Sequence, residues 1–127
     1  MQDRTLSPAE WEVMNVIWER TGKTTVREVL EARYPNGEKA YTTIQTIMNI
    51  LVDKGFLNRK KIGMVNFYSA KQNQSKSVIN ETKNFVKKVY NGSFVSLANF
   101  LVESGSLNTD EIENLKNLID KHEREEK

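Results

Sequence analysis

The change of hydrophobic period at Gly55 constrains the fold of this chain more than any other feature of its sequence. Before Gly55, apolar residues recur at helical spacing in three separate stretches. After it, residues 56–59 and 65–69 have the composition of two short strands, and residues 60–64, which include Gly63, are predicted to form the turn between them. The sequence therefore predicts three short helices followed by one β-hairpin, which is the element order of a winged helix.

Capping signals place the first two helices. Ser7 is followed three residues later by Glu10, and Thr25 by Glu28, so each pair can form a capping box with the backbone amides of the first turn. Pro8 stands at the first helical position, where its missing N–H costs nothing. Both helices carry an apolar stripe that we assign to the core: Trp11, Met14, Ile17 and Trp18 in the first, and Val26, Val29 and Leu30 in the second.

The third predicted helix, residues 42–54, has two regular faces. Its apolar positions are Ile44, Ile47, Met48 and Leu51. The polar face is uncharged and can read base edges in a major groove. Its predicted DNA-binding residues are Tyr41, Thr42, Thr43, Gln45, Thr46 and Asn49. A merely solvated amphipathic helix is the alternative, and the basic hairpin that follows makes it less attractive.

A basic cluster lies in the predicted hairpin. Arg59, Lys60 and Lys61 follow one another without an intervening acid, at what the pattern predicts to be the hairpin tip. Cations in a wing can contact the phosphate backbone and set the register of a reading helix. The net charge of +2 is too small to identify a nucleic-acid partner by itself, so the prediction depends on this local cluster.

The part of the chain after residue 71 has a different pattern, which is helical throughout. It contains three predicted helices with apolar stripes, which are too short to enclose a core alone, so we expect them to dimerise. The predicted interface residues are Val78, Thr82, Phe85, Val89, Phe94, Leu97, Leu101, Ile112, Leu115 and Ile119. The expected organisation is a winged helix-turn-helix DNA-binding domain over residues 1–71 and a helical dimerisation domain over residues 72–127.

Several classes of function are disfavoured by what the sequence lacks. Without cysteine there is no thiolate metal site or cysteine nucleophile, and the single histidine, His122, stands in a charged run near the C-terminus. No nucleophile–base pair or phosphate-binding glycine loop is present, so we expect no enzyme, no cofactor and no metal. No apolar run is long enough to enter a membrane, and residues 1–5 lack the apolar core of a signal peptide, so we expect a cytoplasmic protein.

Three stretches of the chain, in the same order, resemble the penicillinase-repressor (BlaI/MecI) family of bacterial regulators. They are LSPAEWEVM at 6–14 with Ile17 and Trp18, YTTIQT at 41–46 with Leu51, Lys54 and Gly55, and SFVS at 93–96 leading to NF at 99–100 and DEI at 110–112. The resemblance implies a homodimeric repressor on an inverted-repeat operator in double-stranded DNA, commonly of β-lactam-resistance genes. It also implies inactivation by a membrane-bound sensor metalloprotease, which would cut here between Asn99 and Phe100.

The chain departs from the family pattern at three positions near the expected DNA. Ile50 and Met64 stand where many relatives carry Arg, and Asp53 stands where Lys is common, so each departure removes positive charge. The cysteine motif of a copper-responsive branch is absent, which argues against metal sensing of that type. Two alternatives stay open: a winged-helix adaptor for protein–protein interaction, and a repressor of this family with an unrelated set of genes.

Overall fold

The computed structural model describes residues 5–126. Its elements in chain order are α1 (Pro8–Glu19), α2 (Val26–Arg33), α3 (Tyr41–Asp53), β1 (Leu57–Ile62), β2 (Val65–Ala70), α4 (Gln74–Tyr90), α5 (Phe94–Glu103) and α6 (Thr109–Glu126). The two strands form one antiparallel sheet. The predicted fold class, mainly helical with a small β wing, is confirmed.

Both predicted capping boxes are present. Glu10 N donates to Ser7 Oγ at 3.2 Å and Ser7 N donates to Glu10 Oε1 at 2.8 Å. The matching bonds at the start of α2 are 3.1 Å and 2.9 Å long. Helix α3 differs, because its N-cap residue, Ala40, has no side chain that can accept a hydrogen bond. Helix α3 also begins and ends one residue earlier than predicted, at Tyr41 and Asp53.

The core of the N-terminal part lies where α1, α2, α3 and the hairpin meet. Its buried apolar side chains are Leu6, Val13, Met14, Val16, Ile17, Val26, Val29, Tyr34, Ile44, Met48, Leu51, Phe56, Leu57 and Tyr68. Most of the residues that the sequence assigned to apolar stripes are among them, whereas Trp11, Trp18, Leu30 and Ile47 are half-buried against this cluster. Burial of this apolar surface is what holds the three helices and the hairpin together.

The hairpin turn is tighter than predicted. Ile62 pairs with Val65, so only Gly63 and Met64 form the turn, and Gly63 has a φ of 63°. A positive φ at the first of two turn residues is typical of type II′ turns, whose twist matches that of the flanking strands. The prediction that residues 60–64 form the turn was therefore wrong. Lys60 and Lys61 lie in β1, so the cationic cluster belongs to the strand and not to the hairpin tip.

A third backbone segment joins the hairpin. Thr24, in the connection between α1 and α2, forms an isolated antiparallel bridge with Tyr68. Thr24 N donates to Tyr68 O at 2.8 Å, and Tyr68 N donates to Thr24 O at 2.7 Å. No sequence pattern predicted this bridge. It attaches β2 directly to the segment before α2, so backbone hydrogen bonds hold the hairpin to the helical core.

The chain divides into two compact units, the first ending at Glu81 and the second beginning at Thr82, within helix α4. In the second unit, Val86 is the one buried hydrophobic side chain among the residues that the structure describes. Asn108 and Glu111 form a capping box at the start of α6. The division into domains at residue 71 stays a prediction. Within residues 5–126 no helix is both long and apolar enough to cross a membrane.

Candidate nucleic-acid interface

Helix α3 presents its predicted polar face to the outside. Ile44, Met48 and Leu51 are fully buried on the opposite face. The candidate reading residues are exposed or half-buried: Tyr41, Thr42, Thr43 and Thr46 are exposed, and Gln45 and Asn49 are half-buried. The arrangement follows from helical geometry, because residues at i, i+3, i+4 and i+7 share one face. An uncharged hydrogen-bonding surface about 10 Å long is therefore available at the start of α3.

Thr46 already uses its hydroxyl hydrogen. Its Oγ1 donates to Thr42 O one turn earlier, at 2.9 Å, a bond that threonine commonly makes within a helix. The hydroxyl lone pairs and the methyl group remain available. Towards a base pair, Thr46 can therefore accept a hydrogen bond or contact a thymine methyl group.

Asn49 is fixed by two residues of the hairpin. Arg59 Nη1 donates to Asn49 Oδ1 at 2.8 Å, and Tyr68 OH donates to the same oxygen at 2.9 Å. Arg59 and Tyr68 are directly opposite each other in the strand register. Arg59, which the sequence assigned to a phosphate contact, thus connects the wing to the outer face of α3. No sequence pattern indicates this contact, because Arg59 and Tyr68 lie ten and nineteen residues after Asn49.

Tyr68 acts here as a buried donor. Its side chain is fully buried, and burial is the main reason that the pKa of its hydroxyl lies above the usual range, although the positive charge of Arg59 acts in the opposite direction. The hydroxyl therefore keeps its proton at neutral pH. This buried position gives Tyr68 a packing role.

The lysines of β1 remain exposed. Lys60 and Lys61 have no acidic partner within the described residues 5–126. Because side chains alternate along a strand, Lys61 shares a face with Arg59, and Lys60 points to the opposite face. Beyond them the tip of the wing is apolar, with Met64 91% exposed between the exposed Ile62 and Val65.

A further cation lies close to the start of α3. The guanidinium of Arg27, in α2, lies 5.2 Å from the ring centroid of Tyr41, at cation–π distance. Both residues line a cleft of about 290 Å³ that β2 borders on the other side. Sequence reasoning missed Arg27, although the capping box at Thr25 places residue 27 in the exposed first turn of α2.

The C-terminal end of α3 is attached to α1. Lys54 Nζ donates to Glu10 Oε1 at 2.8 Å and to Thr5 O at 3.1 Å. Burial alone would raise the pKa of Glu10, but hydrogen bonds from Lys54 and from the backbone of Ser7 outweigh it and hold that pKa below its usual value. This ion pair contributes to keeping α3 oriented with its polar face outward.

The predicted dimer and cleavage residues lie on α4, α5 and α6. Most are exposed, and Leu97, Leu101 and Ile112 are half-buried. The sequence-based interface omitted several exposed apolar side chains on the same helices, namely Ile79, Val95, Val102 and Leu118. Asn99 and Phe100 lie inside α5, and both are exposed. No group of histidine and acidic side chains within residues 5–126 is arranged to hold a metal ion.

Comparisons with known proteins identify the family. The penicillinase repressor family model matches residues 6–121. The methicillin resistance regulatory protein MecI of Mammaliicoccus sciuri is 37% identical over 116 residues, which are 91% of this chain and 94% of that protein. The penicillinase repressor of Bacillus licheniformis is 31% identical over 122 residues, covering 96% and 94% of the two chains.

A solved structure agrees with these sequence relatives. The solution structure of the DNA binding domain of the repressor BlaI matches with a TM-score of 0.51 and 34% identity, covering 59% of this chain and 92% of that one. The family and these relatives are DNA-binding transcriptional repressors, so the prediction that the chain is not an enzyme is confirmed. The chain therefore belongs to the penicillinase repressor family, as the three stretches of its sequence implied.

Proposed function

We propose that this repressor binds an inverted-repeat operator in double-stranded DNA as a homodimer, in the bacterial cytoplasm. The observation that carries the proposal is the outward, uncharged face of α3 beside the two exposed lysines of β1. The α3 face supplies hydrogen-bonding groups for base edges, and the lysines supply cations for phosphates. Since one relative is a penicillinase repressor and another a methicillin resistance regulator, we propose β-lactam-resistance genes as the regulated genes.

Dimerisation through α4, α5 and α6 is proposed because these helices expose much apolar surface. Phe85, Phe94 and Phe100 are all exposed, together with several aliphatic side chains on the same helices. Large apolar patches mark interaction sites in soluble proteins, and we propose that these side chains form such a patch. Linking two reading heads raises the affinity for a two-part operator by about 10²- to 10⁴-fold over that of one head.

Proteolysis between Asn99 and Phe100 is proposed as the inactivating event, with a membrane-bound sensor metalloprotease as the partner. Phe100 is 53% exposed in the single chain, so a partner protein can reach it wherever the proposed dimer interface does not cover it. The bond lies inside a helix of ten residues. Helices shorter than about 12 to 15 residues are marginal on their own, so local opening of α5 can present the bond in extended form. Cleavage there would remove α6 and part of α5 from the proposed interface.

The DNA-binding proposal is tested by titrating the full chain against a duplex from its own upstream region and against the same duplex with the inverted repeat scrambled. Binding should be specific for the intact repeat. Affinity should fall steeply between about 50 and 200 mM salt if about six phosphates are neutralised. Thr46→Ala should weaken binding to the intact repeat only, whereas Lys60→Ala should weaken both duplexes. Equal binding of the two duplexes by the wild-type protein would contradict the proposal.

A winged-helix adaptor for other proteins is the second candidate. It is favoured by two exposed apolar side chains near the reading surface, Ile50 on α3 and Met64 at the wing tip. The salt titration distinguishes the two candidates, because counterion release makes DNA binding strongly salt-dependent, whereas an apolar protein contact weakens little over the same range. A repressor of this family with an unrelated set of genes would pass the same titration on a different operator.

A further inference from the structure

The contacts of Asn49 determine which chemical group this residue can offer to a ligand. A carbonyl oxygen has two lone pairs. In Asn49 both are occupied, one by Arg59 Nη1 at 2.8 Å and the other by Tyr68 OH at 2.9 Å. The acceptor half of this amide is therefore saturated by the protein itself.

The orientation of the amide is not interchangeable. An amide group can be rotated by half a turn to exchange its oxygen and nitrogen, and its partners decide between the two positions. A guanidinium has only donors, so the atom that faces Arg59 has to be the oxygen. The nitrogen Nδ2 then lies on the side away from Arg59. A rotated amide would place two donors opposite each other in that contact.

Nδ2 is accessible to an incoming partner. Asn49 is half-buried, yet its Nδ2 is not among the buried polar atoms that lack a hydrogen bond, which in the described residues are Thr24 Oγ1 and Ser77 Oγ. No residue between 5 and 126 accepts a hydrogen bond from it. The nitrogen therefore faces solvent, on the same side of α3 as Thr42, Gln45 and Thr46.

We infer that Asn49 reads DNA as a donor only, held in that state by Arg59 and Tyr68 as positioning residues. The inference rests on the proposed binding of α3 in a major groove. A free asparagine pairs with adenine through both of its groups, accepting from N6 and donating to N7. Asn49 cannot accept a further hydrogen bond, so it cannot form this pair with adenine. Guanine presents two adjacent acceptors, N7 and O6, and is the base that a donor-only amide matches best.

The inference predicts how base preference follows the chemistry of residue 49. Asn49→Asp keeps an acceptor for Arg59 and Tyr68 but replaces the outward donor by an outward acceptor. Cytosine, through its N4 amino group, is the base that donates to such an acceptor in the major groove. The variant should therefore exchange guanine for cytosine at one operator position. Its affinity for the wild-type sequence should fall by about 5- to 150-fold, the usual effect of one mismatched base pair.

The experiment is an in vitro selection from a pool of random duplexes with the full chain, followed by sequencing of the bound DNA. The wild-type protein should enrich an inverted repeat in which one symmetry-related position in each half is guanine. Asn49→Asp should change the enriched base at that position alone. In the double variant Arg59→Met, Tyr68→Phe, the freed oxygen should admit adenine there. Thermal melting of all variants shows that each is folded before its preference is interpreted.

Two results would overturn the inference while leaving the repressor proposal intact. One is that the wild-type protein selects a repeat with adenine at the position whose base changes in the Asn49→Asp variant. The other is an unchanged repeat for Asn49→Asp, which would mean that residue 49 touches no base. A wild-type pool without any enriched repeat is a different result, because it would contradict sequence-specific binding itself and the inference with it.

Discussion

The two units of this chain treat their apolar side chains in opposite ways. In the N-terminal unit, residues such as Val13, Ile44 and Leu51 are fully buried, and the helices and hairpin close over one another. In the C-terminal unit, Val86 alone among the described apolar residues is buried, and aromatic residues such as Phe94 and Phe100 are exposed. The first unit can thus gain its stability from its own contacts. The second unit exposes most of its apolar surface, which the proposed dimerisation would cover.

This difference implies two kinds of stability in one protein. Unfolding of a unit with its own core does not depend on protein concentration. The stability of a unit that is completed by a second copy rises with concentration, because association is linked to folding. The following four changes test that distinction, from the largest expected effect to the smallest.

Leu51→Ala should have the largest effect, and it should act on the N-terminal unit. Truncating a fully buried leucine removes its contacts and leaves a cavity, which costs about 2 to 5 kcal/mol of unfolding free energy. Urea unfolding of the full chain measures the loss. The loss should be the same at low and high protein concentration. A loss that shrinks as concentration rises would mean that this unit also depends on association.

Phe85→Ala should act on association instead. The exposed ring of Phe85 is on the proposed interface, and loss of its burial there costs about 1.5 to 3 kcal/mol of dimer free energy. Sedimentation at low micromolar concentration should show more monomer than for the wild-type protein. Lys83→Ala, an exposed change two residues away on α4, is the matched control. Identical profiles for Phe85→Ala and the wild-type protein would reject this part of the interface.

Lys61→Ala should affect neither stability, only the affinity for DNA. Lys61 is exposed on β1, on the same face as Arg59. If it neutralises one phosphate, the slope of log affinity against log salt should decrease by about 0.9, equally for specific and random duplexes. Lys71→Ala, also exposed but beyond the end of β2, is the control. A specific loss on one sequence would make Lys61 a base-reading residue instead.

The smallest effect concerns acid stability through Glu10. The pKa of Glu10 is below its ordinary value of 4.5 in the folded state, so the unfolded chain binds more protons and folding is favoured at higher pH. The contribution is complete above pH 4.5 and is lost as pH falls through the folded pKa. Glu10→Gln should flatten the acid side of a pH–stability curve for the N-terminal unit. An unchanged curve would show that Lys54 contributes nothing through charge.

Local chemistry explains which parts of the fold were predictable from the sequence. Capping boxes at Ser7 and Thr25 and the apolar spacing of α3 depend on residues within one or two turns of each other, so they can be read directly. The tight turn at Gly63 was missed because strand composition alone does not show where pairing ends. The bridge between Thr24 and Tyr68 depends on tertiary contact, for which a single sequence has no pattern.

In the candidate site, too, local features were predictable from the sequence and tertiary contacts were not. The outward polar face of α3 follows from its spacing and was predicted. The partners of Asn49 were not, because they come from two strands whose register is fixed only when the hairpin folds. Arg59 was therefore assigned to phosphate by its charge and its neighbours. Its observed contact with Asn49 changes the expected chemistry of the reading face.

The position of the two tryptophans has a practical consequence for experiments. Trp11 and Trp18 both lie on α1, with ring centroids 5.7 Å apart, and they are the only tryptophans of the chain. Their fluorescence emission therefore reports on the environment of the first unit alone. Far-ultraviolet circular dichroism also detects α5 and α6, which contain no tryptophan. Recording the two signals on one sample during a thermal scan separates the melting of the first unit from that of the second without any label.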